Sequence, residues 1–345
     1  MTSPEAVASL VEIRRMLADL PGPDLDARTR TVAREATLTK PPGALGRLEG
    51  IAEWMATWQG CHPPRLRRPR VAVFAGNHGV AARGVSAYPA EVTQQMVKNF
   101  VSGGAAVNQI CRSVDADLRV YELSLETPTL DFTAAPAMSD EECARAMAYG
   151  MMAVEPGIDV IALGEMGIAN TSSGAALCLA LFGGSAAEWT GPGTGVAGDQ
   201  LARKREIVAA GVARHGAEAA GDGLELLRRL GGFELAAIAG AVIAARLARV
   251  PVLLDGFTAT AAAATLTRLD SRLLDHCEVA HLSAEPAHVR LCEALGKRPL
   301  LDLGMRLGEA SGAALAIAIL RAAVECHTGM ASFASAGVSG RAPSA

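Results

Sequence analysis

Residues 159–174 read DVIALGEMGIANTSSG, and this stretch decides the fold. Its aliphatic first part, residues 159–163, leads through a glycine-containing turn into a stretch rich in alanine and leucine. The same succession recurs elsewhere, at the runs that begin at Val71, Leu118, Val250 and Glu278. Strands that alternate with helices in this way form parallel βαβ units. The sequence therefore predicts an α/β fold with a doubly wound, mostly parallel sheet and helices on both faces.

The two ends of the chain differ from its middle. Residues 1–69 show no convincing strand, and apolar residues at helical spacing lie near their start. We predict that residues 1–69 are the helical segment and connector of a smaller helical domain, which the C-terminal segment completes. Residues 70–300 are predicted to form the large α/β domain, with ligand loops at the carboxyl ends of its strands. Residues 301–345 are predicted to hold an active-site glutamate loop, a C-terminal helix and a tail.

The composition favours a small-molecule partner. The chain has 345 residues, 50% of them hydrophobic and 20% charged, which is enough to bury a large core. Its net charge of -4 gives no field that attracts a polyanion, and its 4% of aromatic residues argues against modules that stack nucleic-acid bases. The basic run at residues 65–70 is either a solvated linker or a phosphate patch, and the acidic total favours the linker. We therefore expect no nucleic-acid partner.

Neither a membrane span nor a metal site is predicted. The two most apolar stretches, residues 235–245 and 250–266, are shorter or more interrupted than the roughly 20 apolar residues that a span needs. The scattered cysteines form no C-x-x-C pair, and no histidine lies in a metal-binding motif. We expect free thiols, no metal, no cofactor and no membrane contact, in a soluble protein of the reducing cytoplasm.

The turn after residues 159–163 is a candidate ligand site. Gly167 and its neighbouring glycine allow the backbone to approach a ligand closely, and the polar residues 170–172 are natural caps at the positive end of the next helix. Such a turn suits a phosphate or a carboxylate. The alternative is a capped turn without a ligand, and Glu165 is an unusual residue beside an anion site.

A second glycine-rich loop, residues 190–198, reads TGPGTGVAG and contains Gly193, Thr194 and Gly195. Its G-x-G-x-x-G spacing formally matches a dinucleotide fingerprint, which makes an NAD-dependent oxidoreductase one alternative, but no strand precedes the loop. A loop that wraps a smaller anion is more credible, with Lys204 in the following helix as the counter-ion. The rarity of lysine in this chain favours a specific role for Lys204. The other lysines are Lys40, Lys98 and Lys297.

Two further candidate residues lie in turns. Glu309 follows a glycine between apolar segments, and desolvation there raises the pKa of a carboxylate toward the range of a general base. Arg306 and the start of the next helix would lower that pKa, so an ion pair with Arg306 or a helix cap is the alternative. His78, at the end of the first strand, invites a catalytic interpretation, but a structural hydrogen-bond partner is favoured.

Six segments, spread in order over nearly the whole chain, match the pattern of a known family. They are residues 39–49, 84–93, 164–168, 253–257, 281–286 and 303–309. Examples are TKPPGALGRLE, LLDGF, HLSAEP and LGMRLGE. Together they resemble the nicotinate-nucleotide:5,6-dimethylbenzimidazole phosphoribosyltransferases, and the combination is more specific than any single motif.

The resemblance implies a reaction of cobalamin nucleotide synthesis. Phosphoribose passes from nicotinate mononucleotide to 5,6-dimethylbenzimidazole with inversion at C1′, which gives α-ribazole 5′-phosphate and nicotinate. The resemblance also implies that these small molecules are the substrates and that the protein is a homodimer. Chemically, the step needs an anchor for the 5′-phosphate, a pocket for a flat base and a carboxylate that takes the proton.

The same resemblance implies residue roles. Glu309 aligns with the general base, and Glu165 aligns with a second active-site carboxylate. The phosphate and nicotinate side resembles a set formed by Lys204, Gly167, Ser283 and Ala284. The benzimidazole is expected to be framed by Ser86, Gln95, Met305 and Leu307.

Three positions depart from the family pattern. Asn77 stands where many members have Asp, Ala169 replaces a usual Gly, and Pro192 replaces a usual Arg. Pro192 removes a potential phosphate-binding cation, so the loop around it is expected to act through backbone groups. A non-catalytic protein that binds benzimidazole or nicotinate mononucleotide is the alternative from a different functional class.

Overall fold

The structure, a computed structural model, describes residues 9–219 and 221–339. Its strands are β1 Pro69–Gly76, β2 Asp117–Leu123, β3 Val160–Met166, β4 Val252–Leu254 and β5 Cys277–Val279. They form a central parallel sheet with the order β2-β1-β3-β4-β5. Each lies at one of the aliphatic runs that the sequence analysis singled out. The predicted α/β fold with a parallel sheet is confirmed.

Helices connect the strands and cover the sheet. Those of the described residues are α1 Leu10–Met16, α2 Leu25–Glu35, α3 Arg47–Gln59, α4 Glu91–Val101, α5 Ala106–Ser113, α6 Asp140–Met151, α7 Asn170–Phe182, α8 Ala186–Trp189, α9 Gly198–His215, α10 Gly223–Leu230, α11 Phe233–Leu247, α12 Phe257–Ala264, α13 Ala287–Ala294, α14 Ser311–Gly329 and α15 Phe333–Ala336. No helix in this part of the chain combines the length and apolarity needed to cross a membrane.

The sheet is buried on both faces, as a doubly wound sheet requires, except at the edge strand β2, which is partly exposed. Every residue of β1 is buried, and its side chains alternate between two cores. Ala72 and Phe74 join one core, with apolar residues of α6, α7, α11 and α12. Val71 and Val73 join the other, with apolar residues of α3, α5 and α14. The alternation follows from the two-residue period of a strand.

The N- and C-terminal segments pack together. Leu38 and Ser332 form an isolated antiparallel bridge, and the guanidinium Nε of Arg34 donates to the carbonyl of His327 at 2.7 Å. Lys40 is buried between Glu35 and Glu49, at 3.0 Å and 2.8 Å from their carboxylates, which accounts for one of the rare lysines. The division of the chain at residues 69/70 and 300/301 stays a prediction. The first part of the predicted N-terminal helix, residues 1–8, and the end of the predicted tail, residues 340–345, lie outside the described residues.

The strand order places the ligand loops. β2 lies on one side of β1, and β3 lies on the other side. The direction in which successive strands are added to the sheet therefore reverses between β1 and β3. In doubly wound sheets, ligands bind beside such a reversal, outside the carboxyl ends of the strands. The loops that follow β1, β3, β4 and β5 meet at this edge.

Candidate active site

A cavity of about 790 Å³ lies at the carboxyl edge of the sheet. Part of its wall is apolar and comes from Tyr88, Val92, Met96, Ile168 and Leu307. Another part is polar and comes from Thr171, Gly193, Thr194, Ser283 and Arg306. Glu165 and Glu309 also line it. A cavity of this size, with an apolar wall and a few converging polar groups, is typical of a small-molecule site.

The turn after β3 positions Glu165. Glu165 stands one residue before the end of the strand, and the side-chain amide of Asn170 donates to its carboxylate. The predicted caps at residues 170–172 are wrong, because α7 begins at Asn170 and its N-cap is Ala169. Asn170 binds Glu165 instead of capping its own helix. The chain also turns tightly at Gly167, where a Cβ atom would lie 2.7 Å from the carbonyl oxygen of Gly76.

Ala169 is a conformationally unfavourable residue at this turn. Its φ of 79° lies in the left-handed region, where a side chain costs roughly 1–2 kcal/mol. We expect Ala169→Gly to raise the free energy of unfolding by about 0.5–1 kcal/mol, because glycine relieves this strain but adds freedom to the unfolded chain. Urea unfolding measures the change. The control Ala180→Gly, in the last turn of α7, should lower stability by up to about 1 kcal/mol, and a destabilised Ala169→Gly variant would contradict the expectation.

A left-handed turn before α14 positions Glu309. Glu309 and Ala310 have φ of 61° and 60°, and the Glu309 N–H donates to the carbonyl oxygen of Glu165 at 3.2 Å. Gly164 lets β3 pass beside this turn, because a Cβ atom there would collide with the backbone of Ala310. The two carboxylates therefore belong to backbone segments in direct contact.

The Glu309 carboxylate has no partner among residues 9–219 and 221–339. The residue is 6% exposed, lines the cavity and makes neither a side-chain hydrogen bond nor an ion pair in that part of the chain. Arg306 is directed elsewhere, and the N-cap of α14 is Ala310. The structure therefore contains neither an ion pair between Arg306 and Glu309 nor a helix cap by Glu309, the two alternatives left open by the sequence.

Burial raises the pKa of both carboxyl groups. Burial and, secondarily, the nearby charge of Asp255 raise the pKa of Glu309 to about 7. Burial, followed by the charges of Asp255 and Glu234, raises the pKa of Glu165 to about 8, although part of Glu165 faces the cavity. Near neutral pH, Glu165 is mostly protonated and Glu309 lies near the midpoint of its titration. A pair of carboxyl groups with separated pKa values is suited to acid–base chemistry.

A buried hydrogen-bonded chain lies beneath this pair. Nε2 of His78 lies 2.5 Å from Oε1 of Glu234, and its Nδ1 lies 3.1 Å from the hydroxyl of Ser173. The favoured interpretation of His78 as a structural hydrogen-bond partner agrees with these contacts. The same Glu234 oxygen would lie 3.0 Å from a Cβ atom at Gly167. The chain therefore packs directly under the turn that carries Glu165.

Lys204 supplies a buried cation behind the polar wall. Its side chain is 1% exposed, and its Nζ donates to the Thr171 hydroxyl at 2.8 Å and to the Gly191 carbonyl at 3.2 Å. One of its three N–H groups has no partner in the described residues. Burial lowers its pKa to about 8, and Glu285 opposes that shift. Lys204 is thus mostly charged at neutral pH.

The loop of residues 190–198 does not present free backbone donors at Gly193 and Gly195. The N–H of Gly193 donates to Glu285 at 3.2 Å, and that of Gly195 donates to the Pro192 carbonyl at 3.0 Å. Arg306 reaches the loop from the opposite side and donates to the Gly193 carbonyl at 3.1 Å. The cationic groups at this end of the cavity are therefore Lys204 and Arg306.

The structure brings together some of the residues predicted for the site and leaves others aside. Those that line the cavity are Glu165, Gly167, Gly193, Thr194, Ser283, Leu307 and Glu309. Those that do not are Ser86, Gln95, Gly195, Lys204, Ala284 and Met305.

Most of the second group lies immediately behind the wall. The hydroxyl of Ser86 lies 3.0 Å from that of Thr194, and the N–H of Ala284 donates to the Met305 carbonyl at 2.8 Å. Gln95 is exposed on α4, whose neighbouring residues Val92, Met96 and Asn99 face the cavity instead. The roles predicted for all of these residues stay predictions.

Several residues in or directly behind the cavity are not among the predicted site residues. Asn170 was predicted as a cap, Arg306 only as an ion-pair partner of Glu309, and Asp255 and His281 were given no role. A signal existed for Asp255, which follows a strand and precedes a glycine. No local signal marks Glu285, because its contact with Gly193 spans two distant loops.

Comparison with known proteins agrees with this arrangement. A family model described as phosphoribosyltransferase matches residues 20–338. The chain belongs to this phosphoribosyltransferase family. The nicotinate-nucleotide–dimethylbenzimidazole phosphoribosyltransferase of Rhizobium etli (strain CIAT 652) is 56% identical over 330 residues, which cover 96% of this chain and 97% of the relative. The relative of the same name from Brucella anthropi is 54% identical over 329 residues, which cover 95% of this chain and 97% of the relative.

Solved structures of the family have the same fold. The nicotinate-nucleotide–dimethylbenzimidazole phosphoribosyltransferase of Thermus thermophilus is 41% identical and superposes with a TM-score of 0.85. The match covers 92% of this chain and 100% of that chain. The predicted family and the predicted enzyme class, a phosphoribosyltransferase, are therefore confirmed.

Proposed function

We propose that this phosphoribosyltransferase transfers phosphoribose from nicotinate mononucleotide to 5,6-dimethylbenzimidazole and that Glu309 is the general base. A nitrogen of the benzimidazole attacks C1′ from the face opposite nicotinate. The bond between C1′ and the nicotinate nitrogen breaks, and nicotinate leaves with the electron pair. The proton of the benzimidazole passes to Glu309, and the product is α-ribazole 5′-phosphate. The names of the relatives support this choice of substrates.

The observation that carries the proposal is the state of the Glu309 carboxylate. It lines the cavity, has no partner in the described residues, and is buried so that its pKa lies at about 7. A general base works best when its pKa is close to the pH at which it operates. Glu165, with a pKa of about 8, would remain protonated beside it and donate a hydrogen bond to the ribose or the entering base.

The polar end of the cavity supports the placement of the phosphate. Lys204 and Arg306 supply positive charge there, and Ser283 and Thr194 supply hydroxyl groups. Charge-assisted hydrogen bonds from such groups are the usual means of holding a phosphate. The apolar wall, with Val92, Met96 and Leu307 among its members, suits a flat base.

The proposal includes a homodimer. Leu25 and Val32 lie seven residues apart on α2 and are 62% and 48% exposed, so α2 offers an apolar stripe to a second copy. These residues belong to the N-terminal segment, residues 1–69. Light scattering on purified protein tests this part of the proposal.

The reaction is tested by incubating the purified protein with nicotinate mononucleotide and 5,6-dimethylbenzimidazole. We expect nicotinate and α-ribazole 5′-phosphate in equal amounts, and a proton NMR signal of the C1′ hydrogen that shows the α-anomer. Omission of the benzimidazole is the control and should stop the release of nicotinate. Binding of both compounds without nicotinate release would contradict the proposal and support the non-catalytic alternative.

A further inference from the structure

Asp255 is buried directly behind the turn that carries Glu309. It follows β4 and is 1% exposed. Its Oδ1 accepts a hydrogen bond from the N–H of Ala313, in the first turn of α14, at 2.8 Å. The backbone N–H groups of Ala310 and Gly312 also favour the charged form of this carboxylate. Asp255 therefore holds the start of α14 from a strand that is remote in sequence.

The turn needs such a support because two of its residues have unfavourable backbone angles. Glu309 and Ala310 are not glycines, yet both lie in the left-handed region. Residues persist in that region only where the surrounding structure holds them there. The N–H that Asp255 binds belongs to Ala313, in the first turn of the helix that begins two residues after Glu309. By holding that helix start, the carboxylate supports the turn from which the Glu309 side chain leaves the backbone.

His281 pairs with Asp255 from the other side. Its Nε2 lies 3.6 Å from Oδ1 of Asp255, and the residue is 1% exposed. Glycines make room for the ring: a Cβ atom at Gly312 would collide with it, and one at Gly256 would lie 3.3 Å from its Nε2. Oδ2 of Asp255 has no hydrogen-bond partner within the described residues. The negative charge of Asp255 is therefore only partly balanced.

We propose that Asp255, backed by His281, is a positioning residue for Glu309: it holds the turn that carries Glu309, and its charge makes Glu309 a stronger base. This inference rests on the proposed function, in which Glu309 accepts the proton. Asp255 itself does not line the cavity and takes no part in bond making or breaking.

Asp255 is one of several titratable or charged groups that surround the Glu309 carboxylate. The titratable and charged groups around the Glu309 carboxylate are Glu165 after β3, Glu234 at the start of α11, Asp255 after β4, His281 and Glu285 after β5, Arg306 in its own loop and Lys204 in α9. Apart from burial, Asp255 is the group that raises the pKa of Glu309. Removal of this charge should therefore lower that pKa.

The test is the pH dependence of kcat/KM in Asp255→Asn, with nicotinate mononucleotide and 5,6-dimethylbenzimidazole as substrates. The asparagine keeps an oxygen that accepts from the Ala313 N–H and removes the charge. We expect the ascending limb to move toward acid by roughly one pH unit, as removal of a nearby buried charge does. A purely structural role would lower the rate without moving the limb. The control Asp270→Asn, which removes an exposed carboxylate, should leave the limb in place.

A second variant keeps the test open if Asp255→Asn does not fold. Burial raises the pKa of Asp255 and His281 opposes that shift, so His281→Leu leaves Asp255 protonated to a higher pH and should move the limb in the same direction by a smaller amount. Folded variants with an unmoved limb would overturn the inference. If Glu309→Gln keeps the ascending limb of the wild type, the proposed general base fails instead, and the two failures are thereby distinguished.

Discussion

Glu309→Gln lowers kcat by on the order of 10²-fold or more, which is the usual effect of losing a general base. The amide has the same shape as the carboxylate but cannot accept the proton of the attacking benzimidazole. Because the Glu309 carboxylate makes no hydrogen bond in the described residues, the substitution takes no acceptor away from a protein donor, and the new amide faces the cavity. We therefore expect the protein to fold and to bind nicotinate mononucleotide as tightly as the wild type does.

The measurement is steady-state kinetics together with calorimetry of nicotinate mononucleotide binding. The matched control is Glu293→Gln, on the exposed side of α13, which should leave kcat unchanged. Unchanged turnover in Glu309→Gln would remove Glu309 from the mechanism. A loss of binding rather than of turnover would assign the carboxylate to substrate recognition.

Lys204→Met raises KM for nicotinate mononucleotide by roughly 10- to 100-fold, the effect expected when a hydrogen bond between charged groups is lost. The methionine side chain fills the space of the buried lysine side chain and removes only its positive charge and its hydrogen-bond donors. Because the lysine is buried, its replacement by an apolar side chain of similar length should not unfold the protein. The effect on kcat should be smaller, since the phosphate is remote from the bond that breaks.

The proposed role of Lys204 also predicts how substrate affinity changes with pH. Burial lowers the pKa of Lys204 to about 8, so the ammonium loses its proton as the pH rises through that value. Affinity for nicotinate mononucleotide should therefore fall above about pH 8 in the wild type and should not fall there in Lys204→Met. The control Lys98→Met changes an exposed lysine of α4 and should alter neither KM nor its pH dependence. An unchanged KM in Lys204→Met would contradict the phosphate role.

Strands β1 and β3 could be predicted from the sequence, because a strand that is buried on both faces needs a continuous aliphatic run. All residues of β1 are buried, and a parallel strand of this kind leaves a signal that needs no knowledge of its neighbours. The carboxyl-edge turns followed in the same way, since a glycine-containing turn after such a run lies at the edge where ligands bind. Glu165 could be recognised because it stands at the carboxyl end of such a run, and Glu309 because it follows a glycine just before an apolar helix.

The long-range contacts that set the backbone angles and pKa values of these residues could not be predicted from the sequence. The bond between Asp255 and the N–H of Ala313 joins residues 58 positions apart, and that between His78 and Glu234 joins residues 156 positions apart. Residues 170–172 are predicted as helix caps, but the N-cap of α7 is Ala169, whose backbone is left-handed. Local patterns carry no information about such long-range pairs, and the pKa values depend on them.

The account is tested most directly by the pH profile of kcat/KM for the wild type and for Glu309→Gln. In the wild type we expect activity to rise as Glu309 loses its proton near pH 7 and to fall near pH 8, where Lys204 and Glu165 lose their protons. In Glu309→Gln the ascending limb should be absent and the descending limb should remain. An ascending limb of unchanged position in Glu309→Gln would contradict the assignment of Glu309 as the proton acceptor.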